Sequence, residues 1–242
     1  MQMPPKVIIL IPTYNESENV GSLVPHVLSM AAHYEILIID DGSPDGTATI
    51  VKEMMPQFNG RLHLMERTQK AGLGRAYIAG FRWALERGYD LVFEMDCDFS
   101  HPPEALASLE KACTEDKFDI AVGSRYTKGG KVQNWPLNRL MLSYGASLYV
   151  RLITGMPVKD PTAGFICYKR EILERINLDR VRFIGYAFQI EMKYKSFLKG
   201  ARIKEVPITF KDREKGISKM STKIFKEGLL GVVILRMEKA VK

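Results

Sequence analysis

At 242 residues, with 46% hydrophobic and 26% charged positions, the chain is long enough to bury a sizeable core and too apolar for a disordered tail. Its three cysteines, Cys97, Cys113 and Cys167, show no CxxC spacing, which argues against a zinc ribbon or a disulfide framework and fits a reducing compartment. A formal charge of +7 asks for an anionic partner, be it nucleic acid, a phosphorylated metabolite or an acidic membrane surface, without choosing among them.

The first apolar run, Val7 to Ile11, lies between prolines and is too short for the core of a signal peptide, so no export is expected. No stretch approaches the roughly 20 apolar residues that span a bilayer; the nearest is "GLLGVVIL" at 228–235. Short β-branched runs then alternate with longer helical patterns, giving strands near 6–12, 35–41, 61–67, 90–98 and 118–124 with helices between them. That rhythm predicts βαβ units and a mostly parallel sheet covered by helices on both faces, an α/β fold with ligands at the strand C-terminal ends.

Beyond about residue 125 the rhythm changes. A basic loop, "RYTKGGKVQNWPLNR", leads into a helix over 136–154; a strand and short helix follow in "DPTAGFICYKREIL", a helix over 186–199, a strand in "ARIKEVPITF" and a terminal helix. The expected organisation is a domain over 1–219, with a nucleotide-binding half (1–124) and an acceptor half (125–219), followed by an amphipathic or apolar helix over 220–242.

Three strand ends carry the chemistry: "PTYNE", "DDGSPDGT" and "DCD" place at least six acidic side chains on one sheet edge. Such crowding is unfavourable unless a cation or positive ligand offsets it. With strand periodicity, Asp96 and Asp98 face one side roughly 7 Å apart and Cys97 the other, an arrangement suited to magnesium or manganese, with water and ligand phosphates completing the shell. Asp41 is left to accept hydrogen bonds from a base or ribose. "KAGLGRA" offers an anion site at a helix start, but neither GxGxxG nor GxxxxGK[ST] occurs. His101 reads as a loop residue and not a ligand.

Together, "PTYNESEN", "DDGSPDGT", "KAGLGRAY", "MDCDFSHPPE", "GSRYTKGG", "DPTAGF", "FQIEM" and "DREKGISK" make the chain resemble the family 2 glycosyltransferases, within them the polyprenyl-phosphate (dolichol-phosphate) mannose synthases. The resemblance implies a GT-A fold in which Pro12, Tyr14, Glu16, Asp40, Asp41 and Asp96 hold the nucleotide and Asp96 and Asp98 hold the cation. Some relatives have a glutamine ligand two residues past the second aspartate; here Ser100 stands there as the third candidate. Arg125, Arg139, Arg213 and Lys219 would surround the acceptor phosphate, and Asp98, Arg125 and Arg213 would carry catalysis.

The implied reaction is inverting transfer of mannose from GDP-mannose to polyprenyl or dolichyl phosphate; the alternative is transfer of glucose from UDP-glucose, or of another activated sugar. A nucleotidyltransferase is disfavoured because its glycine- and arginine-containing loop is missing after strand one, and a nucleic-acid-binding module because the basic loops adjoin apolar helices. The implied location is peripheral, on the cytoplasmic face of a membrane. Docking would use Leu140, Leu142, Leu148 and Leu152 with the terminal helix around Leu229 to Leu235. This leaves room for a small membrane-anchoring subunit or for self-association.

Overall fold

The computed structural model describes residues 4–69, 71–185, 187–212 and 230–237. In chain order the elements are β1 (Val7–Thr13), α1 (Ser17–Met30), β2 (Tyr34–Asp40), α2 (Thr47–Met54), β3 (Leu62–Glu66), α3 (Leu73–Glu86), β4 (Leu91–Glu94) and α4 (Leu106–Thr114). There follow β5 (Ile120–Ser124), β6 (Lys131–Gln133), α5 (Leu137–Thr154), β7 (Ile166–Lys169), α6 (Arg170–Arg175), α7 (Ala187–Leu198), β8 (Ile203–Pro207) and β9 (Thr209–Lys211).

A seven-stranded sheet in the order β3-β2-β1-β4-β7-β5-β8 forms the middle layer. β1 is apolar along most of its length because both faces are covered. Val7, Ile9 and Ile11 pack against Val20, Leu23, Leu106 and Leu109 of α1 and α4, while Ile8 and Leu10 pack against Tyr77, Phe81 and Phe188 of α3 and α7. Each such side chain, fully buried, contributes about 1.5–3 kcal/mol.

All pairings in the main sheet are parallel except those of β7, which runs antiparallel to both β4 and β5. The expected mostly parallel α/β architecture is present, and the sheet continues across residue 124, since β5, β7 and β8 share it with the first four strands. The reversed strand matters for the site. Its N-terminal end lies at the C-terminal ends of the parallel strands, so residues 160–165 arrive at the ligand edge. There β6 and β9 form a small parallel pair beside it.

β4 ends at Glu94, not near residue 98, so the acidic pair occupies a loop beyond the strand. Helical residues 230–237 seat Val232 and Leu235 against Val150, Ile190 and Tyr194 of α5 and α7. Their other side leaves Leu230, Val233, Ile234 and Met237 exposed. Along α5 the outward stripe is Leu137, Met141, Tyr144, Leu148 and Leu152, between 45% and 74% exposed. Leu142 is also exposed, whereas Leu140, expected outward, is half-buried because it lies off this stripe. Leu229 lies outside the described residues.

The two glycines of "KAGLGRA" serve packing. Gly72 adopts φ +97, and a Cβ on Gly74 would stand 2.7 Å from both the Phe183 carbonyl oxygen and the Phe188 ring. The Gly74 N–H donates to the Ile184 carbonyl at 2.9 Å, so the expected anion site has already given up this donor. Gly74→Ala should therefore destabilise the fold by about 1–3 kcal/mol through overpacking. A lower denaturant midpoint at unchanged m-value is the expected result; an unshifted midpoint would contradict this packing.

Candidate active site

The loop after β4 is folded back on itself. Phe99 takes φ +59, a left-handed conformation uncommon outside glycine, and the Ser100 N–H donates to the Asp98 carboxylate at 3.1 Å. The reversal brings His101 under Asp96. The Asp96 amide donates to His101 Nδ1 at 3.0 Å, which leaves Nε2 to carry the ring N–H, 3.9 Å from the Asp96 carboxylate. The imidazole stacks on Phe165 at 5.1 Å, nearly parallel, and is buried. His101 is therefore a positioning residue for Asp96 and not a bystander in the loop.

The loop also alters the expected carboxylate geometry. The Asp96 side chain is 42% exposed and lines a cleft of about 250 Å³, whereas Asp98 and Ser100 are buried behind it. Cys97 does point away, into the core beneath β1 and β4. No group of three or more His, Cys, Asp or Glu side chains poised to hold a metal ion occurs among the described residues.

The opposite side of the cleft is cationic and aromatic. Arg125 follows β5 directly and forks onto Asp160, with Nε at 2.7 Å from Oδ2 and Nη2 at 2.6 Å from Oδ1; its backbone N–H adds a third bond at 3.0 Å. Nη2 also donates to Thr162 Oγ1 at 2.8 Å. Arg139, from the first turn of α5, donates to Asp212 at 2.8 Å and lies 4.1 Å above the Trp135 ring. The Arg125 guanidinium stands 5.5 Å from the same ring and 5.4 Å from Phe210. Trp135 Nε1 has no hydrogen-bond partner among the described residues, and its ring lines the cleft beside Ser143.

Beneath Asp96 lies a buried polar floor. Gln189 Nε2 donates to Glu94 Oε2, and Lys193 Nζ donates to the carbonyls of Ala163, at 2.7 Å, and Gln189, at 3.0 Å. Burial raises the Glu94 pKa despite the opposing pull of Gln189 and Lys193. The same burial lowers that of Lys193, although Glu94 and Asp160 act the other way. Both groups are pushed toward neutrality, and the floor presents Gln189 to the cleft.

The expected convergence of six acidic groups is not what the fold produces. Asp40 is consumed in its turn, accepting from Thr13 Oγ1 at 3.0 Å and from Ser43 through both N–H (2.9 Å) and Oγ (2.5 Å). Asp45 accepts from Ser17 and Thr47. Its partial burial opposes ionisation, yet these bonds hold its pKa at about 2. Asp41, expected to be available to a nucleoside, makes a 2.9 Å ion pair with Arg67. Glu16 accepts from Asn19 at 2.8 Å. Pro12 and Tyr14 are half-buried at the same edge.

Of the residues singled out from sequence, Asp96, Arg125 and Arg139 line one cleft. Pro12, Tyr14, Glu16, Asp40 and Asp41 cluster at the ends of β1 and β2, and Arg213 and Lys219 lie outside the described residues. Sequence reasoning missed His101, Trp135, Ser143, Asp160 and Gln189. Asp160, Gln189 and His101 did fall within the family motifs, and Trp135 within the basic loop, but none had a residue pattern that announced its role; Ser143 is one helical turn after Arg139.

Residues 8–177 match the family model described as Glycosyl transferase family 2. The polyprenol monophosphomannose synthase of Mycolicibacterium smegmatis is 46% identical over 94% of this chain and 85% of its own length. The undecaprenyl-phosphate mannosyltransferase of Micrococcus luteus is 44% identical over 94% and 92%. Among solved structures, glucosyl-3-phosphoglycerate synthase from Mycobacterium tuberculosis, in complex with Mn2+ and UDP-glucose, superposes with a TM-score of 0.68 at 16% identity, covering 97% of this chain and 79% of that one. At that identity the likeness is one of fold.

Two predictions follow from the site's geometry. Asp160→Asn should destabilise the protein by about 3–5 kcal/mol at neutral pH, because it leaves the Arg125 charge buried without its partner. Burial alone would raise the Asp160 pKa, but Arg125 more than reverses this and holds it below the ordinary 3.8. The pair's contribution is thus present above the unfolded value and lost as pH falls through the lower folded value, an acid limb the Asn variant should lack in a pH series of denaturant melts. At His101, Asn retains an acceptor at the Nδ1 position whereas Phe retains only the stacking. His101→Phe should cost about 1–3 kcal/mol for the unsatisfied Asp96 amide, and His101→Asn distinctly less; equal melting curves would remove the positioning role.

Proposed function

The chain belongs to glycosyl transferase family 2, and on that premise we propose that it transfers mannose from GDP-mannose to a polyprenyl or dolichyl phosphate, with inversion at the anomeric carbon. The fold is of GT-A type, as the resemblance implied. What supports a lipid phosphate as acceptor is a single wall of the cleft. α5 contributes Arg139 and Ser143 beside Arg125, then Leu142 and Ala146, and leads out to an exposed apolar stripe. A phosphate drawn to the arginines would leave its hydrocarbon chain along that helix.

Asp96 and Asp98 fit a divalent cation as an open site. They are hard oxygen donors, one facing the cleft and one behind it, and too few to complete a shell without water and a diphosphate. Magnesium or manganese is the expected ion, with Ser100 as a further ligand in this reading. Bound there, the cation would supply electrophilic stabilisation of the leaving diphosphate.

The chain's own residues do the rest. An acceptor phosphate is anionic near neutral pH, so it attacks without a general base. Arg125 is held in a fixed orientation by Asp160, and Arg139 is held over Trp135, which orients the phosphate for attack opposite the leaving group. Arg213 and Lys219, outside the described residues, would complete this cationic set. The nucleotide would lie toward Pro12, Tyr14, Glu16, Asp40 and Asp41. Because Arg67 already pairs with Asp41, a base or ribose would share that carboxylate with it.

No described helix is long and apolar enough to cross a membrane. Docking by the stripes of α5 and residues 230–237 would bring the enzyme to a lipid that cannot leave the bilayer cheaply, each methylene being worth about 0.8 kcal/mol. The three free thiols suit the cytoplasmic face.

Purified protein incubated with GDP-mannose, UDP-glucose and other sugar nucleotides, a short polyprenyl phosphate and magnesium or manganese should yield lipid phosphate mannose, identified by product mass and sugar analysis. Asp96→Ala and Asp98→Ala should each lose at least ~100-fold in turnover; Asp96→Ala should melt normally, Asp98→Ala should also lose about 1–3 kcal/mol with the buried Ser100 N–H bond, and Cys97→Ala should retain most activity. Preferential use of UDP-glucose would replace the mannose reading, and wild-type turnover by both aspartate variants would remove the metal assignment.

A further inference from the structure

On the other flank of α5 from the cleft lies a second hollow, of about 210 Å³, lined by Tyr126, Tyr144, Ser147, Leu148, Arg151 and Lys159. None of these six lines the cleft. At 3.6 residues per turn, positions 144, 147, 148 and 151 form one strip of the helix, whereas the cleft wall uses 139, 142, 143 and 146. The hollow thus sits between the packed face of α5 and its exposed apolar stripe, and shares Tyr144 and Leu148 with that stripe.

Its chemistry is that of a phosphate cradle. Arg151 and Lys159 bring two positive charges, and among the described residues neither forms an ion pair. Glu205, which holds the Lys159 backbone N–H at 2.9 Å, is also occupied by Ser124 Oγ at 2.7 Å and the Asp160 N–H at 3.0 Å. One wall is preformed: Tyr126 donates to Ser143 Oγ at 2.7 Å and meets Tyr144 edge-on at 5.4 Å. A guanidinium fork, an ammonium and two tyrosines bordering exposed leucines match the layer of a bilayer where headgroup phosphates meet acyl chains.

We infer that this hollow binds the phosphate of an anionic glycerophospholipid headgroup, in a site separate from the catalytic cleft. The inference rests on the proposed docking of α5 and adds to it a specific lipid contact. With the α5 stripe in the acyl region, Arg151 projects from the flank to the headgroup level, and Lys159 closes over the phosphate from the segment that follows the helix. Two cations against one phosphodiester leave a surplus charge, which favours lipids of net negative charge over zwitterionic ones.

The test is cosedimentation with sucrose-loaded vesicles of phosphatidylcholine alone or mixed with phosphatidylglycerol, without polyprenyl phosphate. Wild-type protein should prefer the anionic vesicles. Arg151→Ala with Lys159→Ala should weaken that binding about thirtyfold, two charges at about 1 kcal/mol each. Binding to the neutral vesicles should persist, as should turnover of a short acceptor in solution. The paired Gln variants should behave alike, which guards against misfolding of the Ala pair. Equal loss on replacing Lys128 and Lys131 instead would show diffuse attraction and overturn the site. Equal wild-type binding to both vesicle types would overturn the headgroup contact while sparing the docking; no vesicle binding at all would remove both.

Discussion

The Arg125–Asp160 pair is the contact on which the ligand edge depends. Both groups are nearly or fully buried, where an ion pair is tolerated only if the geometry is good and the remaining hydrogen-bonding capacity is filled. Here the carboxylate takes three N–H groups from Arg125 alone, and the guanidinium adds Thr162 and lies among Tyr126, Trp135 and Phe210. The pair ties the end of β5 to the segment entering β7. Because β7 runs against its neighbours, that segment reaches the same edge as the Asp96 loop, and the cleft acquires a carboxylate on one wall and paired guanidinium groups with aromatic rings on the other.

α5 carries consequences in two directions. Its first turns supply the cationic and polar wall beside Arg125, and its outer stripe offers leucine, methionine and tyrosine to whatever lies outside. Residues 230–237 add to that surface while seating Val232 and Leu235 against α5 and α7. A helix that packs on one side, offers Arg139 and Ser143 to the cleft on another and exposes apolar side chains on a third would, in the proposed function, link acceptor chemistry to a membrane surface.

Much of the fold was legible because of how burial writes itself into sequence. β1 and β2 read as near-continuous apolar runs since helices cover both their faces, and α5 read as a helix from its periodicity. The direction of β7 was not legible, because hydrophobic pattern records which residues are buried and not which way a strand runs. The extent of β4 was overread for a related reason. "EMDCDF" alternates as a strand would, but Phe99 adopts a left-handed turn and His101 bonds back to the Asp96 amide, and together these fold the segment into a loop.

By itself, then, the sequence determined the α/β class, the positions of most strands and helices, the acidic pair after β4 and the basic segments that carry Arg125 and Arg139, since these depend on local pattern and residue type. The tertiary structure alone decided which charges are available. It placed Asp160 opposite Arg125 across 35 residues of chain, gave Asp41 to Arg67, spent Asp40 on its own turn and set Gln189 against Glu94 from 95 residues away. A carboxylate's identity is covalent and local, but its partner is whatever the folded chain brings within 3 Å of it.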